Sequence, residues 1–244
     1  QQNATKPRFA RKPLLLYQDA DAMQDRADMK DETRALPVTA VLEPLTAALK
    51  SHGRAVLSAP PGAGKTTLVP LHLLEHGPPG RIILLEPRRL AARASAFRMA
   101  SLLGEEPGGT VGYRMRLDTK VSAKTRIEVV TEGVFARMAL EDPELSGIST
   151  VIFDEFHERS LDADFGLALA LDIRAGLREN LNVLVMSATL DVARIAALLG
   201  DAPVIESKGR AYPVEIRYQA RSPQARIEDS VSDAVRAMLV TEVG

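Results

Sequence analysis

The chain has 244 residues, 45% of them hydrophobic, and its 31 basic and 32 acidic side chains give a formal net charge of −1. This length and apolar content suit one large α/β domain, or one domain and a piece of another. The absence of cysteine excludes disulfides and thiolate metal sites. The four histidines are interpreted as lacking metal-ligand spacing, which argues against a zinc site. The net charge gives no overall basic surface for nucleic acid.

Residues 1–35 differ in composition from the rest of the chain. They begin basic and turn acidic after Tyr17, with few large apolar side chains. This pattern predicts a flexible N-terminal extension, although its basic start also allows an arm that touches RNA. The apolar run at residues 14–17 is too short for a signal segment or a membrane span. We therefore predict a cytoplasmic protein without membrane contact.

From residue 36 onward, segments with helical and strand character alternate. Strands are predicted at residues 54–59, 81–86, 126–130, 150–153, 183–186 and 203–206. Helices are predicted at residues 38–50, 65–75, 89–103, 132–140, 161–177 and 192–199. This alternation predicts an α/β fold with a mostly parallel sheet covered by helices on both faces. The loops that follow the strands then gather at one edge, where such sheets bind ligands.

A glycine-rich turn, APPGAGKT, follows the first predicted strand at residues 59–66. Such a turn wraps backbone N–H groups around a polyphosphate, and Ala59 stands where the strict pattern has glycine. We expect Lys65 to reach the β- and γ-phosphates of ATP and Thr66 to hold Mg²⁺. The predicted ATP-binding residues are Pro61, Gly62, Ala63, Gly64, Lys65, Thr66 and Thr67.

Two carboxylates follow the apolar strand that contains Val151, Ile152 and Phe153. We expect Asp154 to hold the same Mg²⁺ ion. Glu155 is the candidate for orienting and deprotonating the attacking water, because a second carboxylate beside the metal site can do so without blocking it. Together with the glycine-rich turn, this pair predicts hydrolysis of a nucleoside triphosphate.

The DEFH run at residues 154–157 resembles motif II of the DEAH/RHA branch of superfamily 2 helicases, with Phe156 in place of the usual alanine. Further blocks follow the order of that family. EPRRLAA at residues 86–92 resembles motif Ia, TEG at residues 131–133 motif Ib, and SAT at residues 187–189 motif III. The resemblance covers about residues 36–220 and implies a RecA-like P-loop NTPase domain with helicase activity.

The resemblance also assigns roles around the nucleotide. His157 is expected to act with the catalytic set and to link the nucleotide site to motif III. Ser187 and Thr189 are expected to hydrogen-bond motif II and to pass its state onward, and an N-cap function is compatible with that role. Arg98 matches the family's arginine that stacks on the nucleotide base, with Arg93 as the nearby competitor.

Four residues are expected to bind single-stranded nucleic acid, with RNA favoured over DNA. Arg88 and Arg89 follow a predicted strand, where guanidinium groups can reach phosphates. Thr131 and Gly133 lie at a helix start, where backbone N–H groups can bind a phosphate. Because the sequence shows no aromatic platform for bases, we expect backbone contacts and no sequence readout.

The predicted domains are the extension at residues 1–35, a first RecA-like domain at residues 36–209, and a linker with the start of a second RecA-like domain at residues 210–244. Ile227, Val231, Ala234 and Met238 predict an amphipathic helix in the last segment. The family's arginine-finger run is absent from the sequence. We therefore expect weak hydrolysis by this chain alone, with the second domain of the full-length chain as partner.

Three functional hypotheses remain open on the sequence alone. The first is the ATP-driven motor half of an RNA or DNA helicase. The second is a P-loop ATPase with an output other than nucleic-acid movement, which the helicase order of the motifs disfavours. The third is a nucleotide-binding scaffold without activity, which the intact Lys65, Asp154 and Glu155 disfavour.

Overall fold

The computed structural model describes residues 36–188, 192–208, 216, 218 and 226–241. It divides into two compact units, Gln1–Arg210 and Ala211–Gly244. Within the described residues, no helix is both long enough and apolar enough to span a membrane.

The first unit is built on one eight-stranded sheet. Its strands are β1 (Arg54–Ser58), β2 (Arg81–Glu86), β3 (Val111–Met115), β4 (Asp118–Lys120), β5 (Ile127–Thr131), β6 (Ile148–Phe153), β7 (Asn182–Ser187) and β8 (Val204–Glu206). They lie in the order β4-β3-β5-β2-β6-β7-β1-β8. All neighbours are parallel except β3 and β4, which form an antiparallel hairpin. The prediction of an α/β fold with a mostly parallel sheet is confirmed.

Six helices of the first unit connect these strands. They are α1 (Leu42–His52), α2 (Lys65–His76), α3 (Arg89–Leu103), α4 (Glu132–Glu141), α5 (Leu161–Gly176) and α6 (Val192–Leu198). Short 3₁₀ helices at Pro37–Val41 and Phe156–Glu158 complete the described backbone of this unit. Gly53 and Gly104 end α1 and α3 in the left-handed conformation, which glycine adopts without steric cost.

Both faces of the sheet are buried, because alternate strand residues point to opposite sides. On β2, Ile82 and Leu84 join the core beneath α1, α2 and α3. Ile83 and Leu85 join the second core, which α4, α5 and α6 cover. Strands buried on both faces read as continuous apolar runs, which is why these runs predicted β2, β6 and β7 so directly.

The carboxyl ends of five neighbouring strands form a row at one edge of the sheet. From β5 to β1 the row runs through Thr131, Glu86, Phe153, Ser187 and Ser58, with Glu86 paired to Thr131 and Ser58 paired to Ser187. At about 4.8 Å between strands, the row is about 19 Å long. The loops after these strands carry all the sequence motifs identified above.

The structure differs from the sequence prediction in two places. The single helix predicted at residues 38–50 is a 3₁₀ turn followed by α1, which places Pro44 in the first helical turn, where proline is tolerated. The β3–β4 hairpin was not predicted. Its first strand alternates Val111, Tyr113 and Met115 with Gly112 and Arg114, a strand pattern that the sequence prediction passed over, and its second strand has only three residues, all polar.

The interpretation that no histidines have metal-ligand spacing is wrong. His72 and His76 are four residues apart on α2, which places them on the same helical face, and their rings stack with centroids 4.3 Å apart. The sequence spacing could have shown this, because the segment was already predicted to be helical.

The second unit contributes one described helix, α7 (Ile227–Thr241). Its apolar residues Ile227, Val231 and Met238 are exposed within the described residues. The predicted amphipathic helix is therefore present.

We expect Phe135→Ala to lower the free energy of unfolding by about 3–5 kcal/mol, the usual cost of removing a buried phenyl ring. Phe135 is fully buried on α4 and packs edge-on against Phe153, with ring centroids 5.8 Å apart. Leu140→Ala, an exposed position on the same helix, should change stability by no more than about 0.5 kcal/mol. Urea unfolding of both variants measures the difference, and equal losses would contradict the assigned core.

Candidate nucleotide and nucleic-acid site

The glycine-rich turn lies between β1 and α2 and is fixed at both ends. Ala59 donates its backbone N–H to the carbonyl of Ser187 at 3.1 Å, and Val38 donates to the carbonyl of Ala63 at 3.1 Å. Gly62 and Gly64 have φ values of 75° and 90°, in the left-handed region that favours glycine. The turn therefore has the backbone conformation that a phosphate-binding loop needs.

Lys65 begins α2, and its side chain folds back over this turn. Its Nζ donates to the carbonyl of Ala59 at 3.0 Å and lies 3.9 Å from the Glu155 carboxylate. The side chain is only 3% exposed. A buried ammonium held mainly by backbone carbonyls can turn toward an incoming phosphate, which offers stronger charge-assisted hydrogen bonds.

Thr66 follows the glycine-rich turn after β1, Asp154 follows β6, and their side chains are in contact. The Thr66 hydroxyl donates to Asp154 Oδ2 at 2.5 Å, and the backbone N–H of Glu155 donates to Asp154 Oδ1 at 2.8 Å. A hydroxyl and a carboxylate are hard oxygen donors of the kind that Mg²⁺ prefers. This donor set therefore fits the expected magnesium ion.

Glu86 is a site residue that the sequence analysis missed. It ends β2, is buried, and lies close enough to Asp154 and Glu155 for their charges to act on it. Burial, followed by the charges of Asp154 and Glu155, raises the pKa of Glu86 to about 9. Burial also raises the pKa of Asp154 to about 6, against the lowering effect of the Thr66 hydroxyl. With its pKa raised to about 9, Glu86 is neutral at pH 7 and adds no second negative charge beside Asp154.

A signal for Glu86 does exist in the sequence. The run Ile82 to Leu85 followed by a glutamate repeats the pattern of the β6 strand followed by Asp154. A carboxyl directly after a fully apolar strand of a parallel sheet lies at the ligand-binding edge.

Glu155 has a left-handed backbone, with φ 47° and ψ 35°, which is uncommon for a residue with a side chain. It precedes the 3₁₀ turn in which Phe156 is buried against Phe153, at a ring distance of 6.3 Å. This packing explains Phe156: its ring fills the core under α5, where the family's usual alanine would leave space. The buried ring anchors the turn and thereby fixes the strained backbone of Glu155.

His157 connects this turn to the segment after β7. Its Nδ1 lies 3.4 Å from the backbone N of Ala188 and 3.3 Å from the Glu155 carboxylate. An unprotonated Nδ1 accepts from Ala188, whereas a protonated one donates to Glu155, so the tautomer selects the contact. Ser187 is buried at the end of β7, and Thr189 lies outside the described residues.

Arg88 and Arg89 lie at the start of α3, on the β2 side of the row of strand ends. The Arg88 guanidinium donates to Glu158 at 2.7 Å, and its side chain is 72% exposed. Arg89 donates to the carbonyl of Arg116 at 3.0 Å. Both cations are thus accessible, and Arg88 is held by a carboxylate that a phosphate could replace.

Thr131 and Gly133 lie at the start of α4, next to the same edge. A side-chain atom added at Gly133 would meet nothing, so the space above it is open. Glu132 between them accepts from the Ser160 hydroxyl at 2.6 Å, and Ser160 also accepts from the N–H of Ala163 as the N-cap of α5. The first turn of α4 is therefore tied to the segment that follows the DEFH run.

Arg98 is exposed on α3, nine residues after Arg89 and thus about 14 Å along the helix axis. Its competitor Arg93 lies 3.8 Å from Asp118 of β4 and 5.6 Å from the Phe97 ring. Arg93 is therefore engaged with the hairpin side of the sheet, and the base-stacking role of Arg98 stays a prediction.

We expect stability to depend on pH through Glu86. Because its pKa is raised in the folded chain, this group stabilises the fold fully below the ordinary carboxyl pKa, and that contribution is lost as pH rises toward about 9. Relative to Glu86→Gln, the wild-type free energy of unfolding should fall by at most about 1.4 kcal/mol per pH unit over that window. Urea unfolding at several pH values without Mg²⁺ or nucleotide measures this slope, and parallel pH curves for the two proteins would rule the effect out.

The chain is similar in sequence to known helicases. Residues 41–198 match the family model described as DEAD/DEAH box helicase. The chain is 56% identical over 211 residues to the ATP-dependent RNA helicase HrpB of Escherichia coli (strain K12), a match that covers 86% of this chain and 26% of that protein. It is 37% identical over 205 residues to the ATP-dependent RNA helicase HrpA of the same organism, covering 83% and 16% respectively.

Solved structures agree with these sequence matches. A crystal structure of the Escherichia coli DEAH/RHA helicase HrpB matches with a TM-score of 0.81 and 56% identity over 86% of this chain and 27% of that one. A second, of the E. coli DExH-box NTPase HrpB, gives a TM-score of 0.73 at 57% identity, over 86% of this chain and 26% of that one. The chain spans about a quarter of the length of HrpB. The resemblance to the DEAH/RHA helicases that the motifs indicated is confirmed, and the chain belongs to the DEAD/DEAH box helicase family.

Proposed function

We propose that this chain is the ATP-binding motor domain of an ATP-dependent RNA helicase. The observation that carries the proposal is the convergence of Lys65 and Thr66, from the loop after β1, on Asp154 and Glu155, from the loop after β6. These four side chains supply a phosphate ligand, two magnesium ligands and a base within one small volume.

The proposed chemistry is hydrolysis of the terminal phosphate of ATP. Lys65 turns from the Ala59 carbonyl to the β- and γ-phosphate oxygens and neutralises their charge. Thr66 and Asp154 hold Mg²⁺, which neutralises phosphate charge when bound. Glu155 orients the attacking water and accepts its proton, and the Glu155 backbone N–H donates a hydrogen bond that holds the Asp154 carboxylate in place.

The proposed nucleic-acid contacts lie at the β2 and β5 end of the same row of strand ends. A backbone phosphate replaces Glu158 on Arg88, and a second phosphate approaches the open space above Gly133 near Thr131. Arg89 adds positive charge at the same helix start. The Arg88–Glu158 and Glu132–Ser160 bonds both end in the segment after the DEFH run, which gives a route between the two ligands.

Further parts of the proposal concern the whole protein. RNA is favoured as the partner because both bacterial relatives are named as RNA helicases. Strand translocation would require a second RecA-like domain of the same full-length chain. In the proposed domain organisation, residues 36–209 form the first RecA-like domain, residues 210–244 form the linker and the start of the second, and residues 1–35 form an N-terminal extension. His157, Ser187 and Thr189 are proposed to couple the domains, Arg98 to stack on the base, and the protein to act in the cytoplasm.

We expect Lys65→Ala and Glu155→Gln to separate ATP binding from hydrolysis. Lys65→Ala removes a phosphate ligand and should weaken binding of a fluorescent ATP analogue in the presence of Mg²⁺. Glu155→Gln keeps the volume and the magnesium ligands, so binding should persist while single-turnover hydrolysis falls by about 10²–10⁴-fold. An equal loss of affinity in both variants would instead give Glu155 a structural or metal-holding role.

We expect Arg88→Ala and Glu158→Gln to shift RNA affinity in opposite directions. Arg88→Ala removes a phosphate contact, so it should weaken binding of single-stranded RNA of any sequence and flatten the salt dependence by about 0.7. Glu158→Gln frees Arg88 and should tighten binding about twofold to fivefold, the range expected for an exposed ion pair. Fluorescence anisotropy with labelled RNA at several salt concentrations measures both effects.

Lys124→Ala is the matched control, because it removes one exposed positive charge three residues before β5, at the edge of the sheet opposite the carboxyl ends of the parallel strands. It should leave the salt dependence unchanged. In an Arg88→Ala background, Glu158→Gln should have no further effect. If Glu158→Gln tightens binding equally in both backgrounds, general charge and not the Arg88 contact is responsible.

A further inference from the structure

We propose that Glu43, His72 and His76 form a binding site for a transition-metal ion of the Zn²⁺ class, which joins α1 to α2. Glu43 lies in the first turn of α1, and the two histidines lie one turn apart on α2. The site is separate from the magnesium ligands, because His76 is about 16 Å along α2 from Lys65.

The geometry brings one ligand atom of each residue close together. The three potential ligand atoms lie within 4.8 Å of one another. The ligands of a tetrahedral zinc ion, at 2.0–2.1 Å from the metal, are about 3.4 Å apart. The two imidazole rings are stacked and nearly parallel, so binding one ion requires one ring to rotate until the lone pairs converge. Glu43 and His76 are exposed, and rotation of these two side chains toward the partly buried His72 closes the remaining gap.

The hydrogen bonds around the two rings are those expected of metal ligands. His72 Nε2 lies 3.1 Å from the hydroxyl oxygen of Thr46, and that hydroxyl already donates to the carbonyl of Leu42 at 3.0 Å. The Thr46 oxygen must therefore accept a hydrogen bond from Nε2–H, which leaves the lone pair of His72 on Nδ1. An N–H donated to a fixed acceptor is the usual means of orienting a ligating imidazole.

His76 has the complementary arrangement. Its Nδ1 donates to the carbonyl of His72 at 3.1 Å, which leaves the lone pair on Nε2. Both imidazoles are thus held in defined tautomers with one nitrogen available. Thr46 is buried between the helices, so the orientation of His72 is supported by the packed core and not only by solvent-exposed groups.

The donor set selects the class of metal. Two imidazoles and one carboxylate suit Zn²⁺ and similar ions, whereas Mg²⁺ prefers oxygen ligands alone. Three protein ligands leave a fourth position for water. The ion would fasten α1 to α2, the helix that carries Lys65 and Thr66 at its start, and would stabilise the folded state by mass action.

The test uses the 244-residue chain without a polyhistidine tag, stripped of metal with EDTA. Titration with ZnCl₂ in a calorimeter should show one equivalent bound, and millimolar MgCl₂ should not compete. At a free Zn²⁺ concentration of 100 times Kd, the melting temperature should rise by about 5–10 °C. His76→Ala and Glu43→Gln should each weaken Zn²⁺ binding by more than about tenfold, and Thr46→Val by about tenfold through loss of the His72 orientation.

His52→Ala is the matched control, because His52 is an exposed histidine at the end of α1 outside the triad. It should bind Zn²⁺ as the wild type does. Circular dichroism without metal establishes that each variant is folded. Wild-type affinity in folded His76→Ala, an equal loss in His52→Ala, or no binding by the wild-type chain would each overturn the proposal.

Discussion

The functional edge of this domain depends on the burial of β6 between β2 and β7. All six residues of Ile148–Phe153 are buried, so the strand is fixed by both cores and its neighbours. The backbone of Asp154, the residue that follows this strand, is also fixed in position, because its N–H donates to the Leu85 carbonyl of β2. Thr66, Glu86 and Glu155 are then arranged around a carboxylate whose position the sheet sets.

The same row of strand ends separates the two proposed ligands and also connects them. The phosphate loop and Ser187 lie toward β1, while Arg88 and Thr131 lie toward β2 and β5. The segment from Glu155 to Ser160 lies between them and contacts both sides, through Lys65, Arg88 and Glu132. A change in that segment when ATP binds would alter the contacts of Glu158 with Arg88 and of Ser160 with Glu132. These contacts are a physical basis for coupling ATP binding to nucleic-acid binding.

Glu86 and Phe156 show how the fold supports chemistry with residues that do none themselves. A neutral Glu86 carboxyl beside Asp154 costs less free energy than a second buried charge would. Phe156 uses aromatic packing to hold a turn in which Glu155 has an unfavourable backbone conformation. The strained backbone of Glu155, the proposed base, is thus maintained by the buried ring of the adjacent Phe156.

The sequence by itself determined the parallel α/β sheet, the phosphate loop and the family, because buried strands and glycine-rich turns leave local patterns. It did not predict the β3–β4 hairpin, whose second strand has only three polar residues, or the position of Glu86 beside Asp154, which depends on the neighbouring strand. Only the tertiary structure paired Arg88 with Glu158 and brought Glu43 to the two histidines of α2. These contacts join residues far apart in the chain, and no local pattern encodes which segments the sheet will bring together.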